Sequence, residues 1–249
     1  MAQPITGKTV VVTGGSRGIG LGLVKKFLAR NNTVIATSRK SSEAQHLHAL
    51  HQQFPERLIM TDLDTTAKAS IASWAAHVKS AGVKHVDVLV NNAGLYGRRL
   101  QLSEFEEEDF LLNFKANSMG PFFVVQQLLQ QELLGSAPDR PDGASLVANI
   151  SSIMGSNTDP TVSAVTRGGF AYRSSKAALN AISSTLARDL EPQGITVVAL
   201  HPGYVRTDLT GGNGWIDVEE STAGLMAVME SGKPLSGRFL SYNGEEIPW

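Results

Sequence analysis

Seven short runs along the 249-residue chain are apolar throughout instead of alternating with polar positions. They are KTVVVT (8–13), NTVIAT (32–37), RLIMTD (57–62), VDVLVNN (86–92), SLVANIS (145–151), ITVVALH (195–201) and GRFLSY (237–242). Continuous apolar runs of this length, rich in Val and Ile, predict strands buried on both faces. Between them, helical patterns cover 18–30, 42–54, 65–80, 105–134, 171–191 and 217–232. The alternation predicts βαβ units and a parallel sheet, an α/β architecture. Ser103-Glu104-Phe105-Glu106 predicts a capping box, with the acids Glu106 to Asp109 in the first helical turn, where the dipole favours them. GSAPDRPDGAS (135–145) predicts a surface loop, and no repeat or interdomain linker interrupts the series.

Length alone allows one large domain or two small ones. With 42% hydrophobic and 18% charged residues, the chain is globular and not disordered. The absence of cysteine removes disulfides, thiolate nucleophiles and Cys-ligated metals from consideration. A net charge of −1 provides no basic field for nucleic acid. No apolar run approaches the ~20 residues that span a bilayer, and MAQPITGKTVVVTGG lacks the plan of a signal peptide, so the expectation is a cytoplasmic protein without nucleic-acid or membrane partners. His46, His48 and His51 fall on an amphipathic, exposed helix without a carboxylate at ligand spacing, so no metal site is expected.

The first strand runs into Thr13-Gly14-Gly15-Ser16-Arg17-Gly18-Ile19-Gly20 and then a helix. Glycines there permit a sharp turn and let the backbone approach a pyrophosphate, which the helix N-terminus favours electrostatically. A tight turn with no ligand would use the same residues. The spacing is TGxxxGxG, and it resembles the cofactor turn of the short-chain dehydrogenase/reductase family. The family's other motifs are present as well: Asn91-Asn92-Ala93-Gly94 after the fourth strand, Tyr172-x-x-x-Lys176, and the Pro202-Gly203 pair with Thr207. The resemblance covers nearly the whole chain. The ending, Gly237 to Trp249, is similar to the branch with the sniffer-type carbonyl reductases and C-factor-like proteins.

That resemblance implies a single-domain Rossmann fold over 1–249. Its doubly wound, seven-stranded parallel sheet would run in the order 3-2-1-4-5-6-7 with helices on both faces, and a small substrate lid would lie around 208–220. It implies that Gly14, Ser16, Arg17, Gly18, Ile19 and Gly20 hold a dinucleotide's phosphates and that Asp62 and Leu63 contact its adenine. Asn91, Ala93 and Gly94 would line its cleft, and Tyr172, Lys176, Pro202, Gly203, Val205 and Thr207 would meet its nicotinamide end. The second strand ends in Ser38-Arg39, with no acid to hold the ribose hydroxyls of NAD. Arg17, Ser38 and Arg39 suit a 2′-phosphate instead, so NADP(H) is expected over NAD(H), although an arginine after a strand is often only solvated.

Tyr172 and Lys176, at i and i+4, share one helix face. A phenol titrates near 10, and a neighbouring ammonium is expected to lower that value. By resemblance, Ser152 (Ser151 being the alternative) binds the substrate oxygen and Asn117 supports a water chain to the lysine. As a mid-helix residue, Asn117 also predicts a helix distortion. Together these imply hydride transfer between NADPH and a carbonyl or secondary alcohol. Tyr96, Ile153, Met154, Phe170, Tyr204 and Trp215 would form an apolar pocket, and those side chains would equally suit a core. The other reading is a cofactor-binding sensor with little turnover. His201 reads as a strand-end residue. The resemblance also implies a homodimer or homotetramer through the helices at 105–134 and 171–191. Ser152 and Tyr172 stand 20 positions apart, a longer stretch than the family usually has, and the surplus falls in a loop over 155–169 containing Asp159, Arg167 and Gly168.

Overall fold

A computed structural model describes residues 4–136, 144–163 and 169–249. Arg167, Gly168 and most of the 135–145 stretch lie outside the described residues.

The apolar runs become seven strands: β1 (Thr9–Val12), β2 (Thr33–Ser38), β3 (Leu58–Asp62), β4 (Val88–Asn91), β5 (Ser145–Ile150), β6 (Ile195–His201) and β7 (Phe239–Ser241). They pair in parallel as one sheet in the order β3-β2-β1-β4-β5-β6-β7. The helices are α1 (Gly18–Ala29), α2 (Gln45–Gln53), α3 (Lys68–Ser80), α4 (Glu107–Phe114), α5 (Gly120–Gln130), the one-turn α6 (Pro160–Ser163), α7 (Phe170–Asp189) and α8 (Val218–Met229).

Each sheet face has its own apolar layer, which is why the strand runs do not alternate. On one face Val10, Val12, Val34, Val90 and Ala148 pack with Leu23, Phe27 and Leu225 of α1 and α8. On the other, Val11, Ile35, Leu89 and Val147 pack with Ile71, Trp74, Val124 and Leu186 of α3, α5 and α7. The order reverses between β1 and β4, the switch point at whose carboxyl ends open α/β sheets place their ligands.

The predicted helix over 105–134 is not continuous. α4 and α5 are separated by a π-helical segment, Lys115–Met119, with Asn117 buried at its centre. One extra residue per turn turns Asn117 toward the loop after β4, where its amide finds backbone partners. The predicted capping box is displaced as well. The Gln101 N–H donates to the Glu104 carboxylate (2.6 Å) and the Glu106 N–H to the Asp109 carboxylate (3.1 Å), so Glu106, not Ser103, opens α4.

Candidate active site

The turn after β1 is built by close approaches. Gly14 (φ +65°) lies so near Ala93 that a Cβ would meet the Ala93 Cα at 3.0 Å, and a Cβ on Gly20 would meet the Gly14 carbonyl oxygen at 2.2 Å. Thr13, not among the predicted site residues, joins the two motifs. Its hydroxyl accepts from the N–H groups of Asn92 and Ala93, both at 3.0 Å, while the Asn92 amide donates to the carbonyls of Thr13 and Gly14. Its signal was its place just before Gly14 in TGxxxGxG. Gly18 (φ +54°) begins α1, whose first turn contains no acid. Its uncapped N–H groups, with those of Ile19 and Gly20 beside Ser16, offer an anion a positive helix end. Thr207 faces this turn, its Cγ2 3.5 Å from where a Cβ of Gly18 would lie.

Ser38 ends β2 buried, and among the described residues its hydroxyl oxygen has no hydrogen-bond partner. Arg39 follows it, exposed. Arg17 points elsewhere in this arrangement. Its guanidinium pairs with Asp208 at 3.1 Å, from the turn after Thr207. Asp62 stands at the end of β3 and accepts from the Ser41 N–H at 2.7 Å, and the Ser41 hydroxyl together with that N–H holds its carboxyl below the usual range. Leu63 behind it is core. The strand-end glycines, the bare helix terminus and the orphaned Ser38 oxygen fit a phosphorylated dinucleotide.

Asn91 is buried beneath the cleft and donates to Asn149 Oδ1 (2.9 Å), whose amide in turn donates to Ser183 Oγ (2.9 Å). The exposed Gly94 closes the motif beside Asn117 and Lys176. A Cβ there would lie 2.9 Å from Asn117 Oδ1 and 3.7 Å from Lys176 Nζ. Asn117 accepts from the Leu95 N–H (2.9 Å) and donates to the Leu95 carbonyl (2.8 Å) and to Ser175 Oγ (3.0 Å). Ser175 donates onward to the Tyr172 carbonyl at 2.7 Å.

Tyr172 and Lys176 both lie buried on α7. Lys176 Nζ donates to the Ile150 carbonyl at the end of β5 (2.8 Å) and stands 5.8 Å from the Tyr172 ring centroid. Ser152 caps the turn after β5, its Oγ accepting from the Met154 N–H (3.2 Å), and it faces the Tyr172 phenol. The Ser151 hydroxyl is instead committed to Asn180. The expected lowering of the phenol's pKa is not found. Burial pushes Tyr172 up to about 12, against the pull of Ser152, and pushes Lys176 down to about 7. Burial suppresses the ammonium that was to stabilise a phenolate, so desolvation of both groups outweighs their attraction. At neutral pH Tyr172 is therefore a neutral phenol, a proton donor.

Of the predicted pocket residues, Tyr96 stacks on Tyr172 with centroids 4.8 Å apart. Met154 and the Tyr96 hydroxyl flank Gly169, and Phe170 meets Phe105 edge-on at 5.5 Å. Tyr204 and Trp215 meet edge-on at 5.7 Å on the far rim, with Trp215 84% exposed. Ile153 turns away and packs against the cluster of Ala199, Phe239 and Ile247. Pro202 and Val205 are buried supports at the end of β6, and Gly203 (φ +88°) makes the turn between them. His201 lies beneath them, and burial lowers its pKa to about 4. His48 and His51 each meet a backbone carbonyl, of Ser42 and Leu58.

Comparison with known proteins agrees with this geometry. The model of the short chain dehydrogenase family matches residues 8–214. The C-signal protein of Myxococcus xanthus is 39% identical over 169 residues, 66% of this chain and 93% of that protein. The NADPH-bound carbonyl reductase from chicken fatty liver is 31% identical, with a TM-score of 0.86 over 98% of this chain and all of that one. The carbonyl reductase Sniffer of D. melanogaster is 28% identical, with a TM-score of 0.85 over 98% of this chain and all of that one.

Proposed function

We propose a carbonyl reductase that prefers NADPH for this chain, which belongs to the short-chain dehydrogenase family of oxidoreductases. The observation that carries the reading is the convergence of Ser152, Tyr172, Lys176 and Asn117 beside a glycine-lined helix terminus at the sheet's switch point. Ser152 orients the carbonyl oxygen of the substrate and stabilises charge developing there. Tyr172 Oη, protonated at neutral pH, gives that oxygen its proton. Lys176 resupplies the proton from the side of Asn117 and holds the nicotinamide ribose. Reduced nicotinamide, when bound, supplies the hydride. Gly14, Ser16, Gly18, Ile19 and Gly20 would hold the diphosphate, Asp62 would meet the adenine with Leu63 as its apolar backing, and Asn91, Ala93 and Gly94 would form the cleft wall. Pro202, Gly203, Val205 and Thr207 shape the nicotinamide end.

Preference for NADPH rests on the unpartnered Ser38 hydroxyl, the adjacent Arg39 and the lack of an acid at the end of β2. Two of the structural relatives, the chicken reductase with bound NADPH and a Burkholderia multivorans protein with bound NADP, are in keeping with it. The pocket walls of Tyr96, Met154, Phe170, Tyr204 and Trp215 suit an apolar or aromatic carbonyl compound, with the 208–220 segment as its lid. Leu111, Leu112 and Met119 are exposed along α4 and the π segment, which supports a homo-oligomer paired there. No helix among the described residues is long and apolar enough to cross a membrane, and we place the protein in the cytoplasm.

The test is NADPH oxidation over a panel of aliphatic and aryl aldehydes and ketones. Turnover of apolar members supports the reading. Tight NADPH binding with no turnover on any member would replace it with the sensor reading, which similarity to a protein named C-signal keeps in view.

A further inference from the structure

The loop after β4 is fixed at two points. At its start, Asn117 bonds both polar groups of the Leu95 backbone, at 2.9 and 2.8 Å. Further on, Arg98 makes a two-point ion pair with Asp109 of α4, Nε to Oδ1 at 2.8 Å and Nη2 to Oδ2 at 2.7 Å. Between these anchors Tyr96 lies stacked on Tyr172, with an interplanar angle of 30°. The next arginine, Arg99, places its guanidinium 4.7 Å from the Tyr96 ring centroid. One tyrosine ring thus has the proton donor and a cation as its two close neighbours.

Among the described residues that cation has no hydrogen-bond or ion-pair partner. Among the described residues, the ion pairs of arginine engage Arg17, Arg30, Arg98 and Arg238, but not Arg99. Of the acids that follow it, Asp109 holds Arg98 and Glu104 accepts from the Gln101 N–H, and among the described residues Glu106, Glu107 and Glu108 form no ion pair with Arg99. Stacking on Tyr96 preorganises the guanidinium, and its planar fork matches a carboxylate at two points. Around Tyr96 and Tyr172 the neighbouring side chains are apolar or aromatic: Met154 and the Tyr96 hydroxyl flank Gly169, and Phe170 meets Phe105.

We infer that Arg99 is a specificity-determining residue that receives a carboxylate at the far end of the substrate. The preferred substrates are then aromatic or apolar carbonyl compounds with an acid group remote from the reacting carbonyl. This rests on the carbonyl reductase reading and narrows it to a substrate class.

The test compares 4-carboxybenzaldehyde with its methyl ester, using NADPH, in the native protein, Arg99→Gln and Arg99→Lys. The native protein is expected to favour the acid by about tenfold or more in kcat/KM, mainly through KM, since a charge-assisted pair is worth at least one decade of affinity. Arg99→Gln should abolish that advantage and leave turnover of the ester unchanged, and Arg99→Lys should retain part of it. Equal rates on acid and ester in the native protein, or an equal loss on both in Arg99→Gln, would overturn the inference. Binding of terephthalate to the protein with NADP+ reads the same site without chemistry. Arg99→Gln should weaken it about tenfold while binding of dimethyl terephthalate stays unchanged. If neither aldehyde is reduced but terephthalate binding depends on Arg99, the reductase reading fails and the carboxylate site stands. If both aldehydes are reduced alike and terephthalate binding ignores Arg99, the reverse holds.

Discussion

The side-chain amide of Asn117 clasps the backbone of Leu95 at both ends, accepting from its N–H at 2.9 Å and donating to its carbonyl at 2.8 Å. The same amide reaches Ser175 Oγ at 3.0 Å, one residue before Lys176. A single buried side chain therefore ties the loop after β4 to the helix bearing the tyrosine and lysine. Asn117→Ala leaves these backbone groups and the Ser175 hydroxyl short of partners. Each unsatisfied buried group costs about 1–3 kcal/mol, so a lowered melting temperature is expected together with a fall in kcat. A variant with native stability and native kcat would show that the clasp is dispensable.

Tyr172→Phe removes the phenolic proton and little else, since the ring still stacks on Tyr96. Turnover should fall by about 10²- to 10⁴-fold, the usual worth of a positioned proton donor. Fluorescence titration should give an NADPH affinity close to native. A fully active variant would remove Tyr172 from the mechanism.

Lys176 makes stability depend on pH. Its pKa is about 7 in the folded chain, against about 10.4 for an unfolded lysine. Between these values the unfolded chain binds the extra proton, so stability rises with pH from about 7 to about 10. Removing the group should therefore stabilise the fold most at and below pH 7. Lys176→Met is expected to melt higher than native there, by an amount set by roughly 5 kcal/mol of relieved charge burial less the lost bond to Ile150. The gap should close toward pH 10 while activity is absent throughout. Melting curves whose difference ignores pH would show that the native lysine is not held near neutrality.

Much of this arrangement was legible in the chain. The Val- and Ile-rich runs at 9–12, 33–38 and 195–201 could only be two-sided strands, and the turn at Gly14–Gly20 and the Tyr172/Lys176 pair are local in sequence. What could not be read depends on partners distant along the chain. A mid-helix Asn117 announces a distortion but not its form, because the π segment at Lys115–Met119 has the same apolar rhythm as an α-helix and the partners of Asn117, Leu95 and Ser175, lie far along the chain. The pKa of Tyr172 depends on burial beneath Tyr96, which no i,i+4 spacing reveals. The Arg17–Asp208 pair joins residues 191 positions apart.

Arg39 and Ser38 should decide between the two nicotinamide cofactors. Arg39→Asp is expected to weaken NADPH on the order of 10- to 100-fold, the worth of a charge-assisted bond to the 2′-phosphate, and to leave NADH nearly unchanged. Isothermal titration with both cofactors reads the ratio directly. Equal effects on the two would place the 2′-phosphate elsewhere.

Gly155 closes the turn that Ser152 opens, and it rests directly on the helix bearing the lysine. A Cβ there would stand 2.8 Å from the Lys176 carbonyl carbon and 2.9 Å from the Ala177 nitrogen. Both are backbone atoms in mid-helix, so neither can rotate aside, and the turn itself must lift. Its other side is also held, because Ser156 Oγ donates to the Pro248 carbonyl at 2.6 Å and accepts from the Asp159 N–H at 3.0 Å. The displacement is therefore passed back to Ser152 and not absorbed by the following loop. Gly155→Ala should cost about 1–3 kcal/mol, the usual penalty of overpacking, and should lower kcat with NADPH affinity retained, since the glycine turn lies on another part of the sheet edge. Gly82→Ala makes the comparison, because among the described residues no atom beyond its own chain neighbours lies within 4 Å of its would-be Cβ, although its φ is +90°. It should lose stability through backbone strain and keep kcat. If the two variants lose stability alike and both keep kcat, the contact between Gly155 and α7 does not set the position of Ser152.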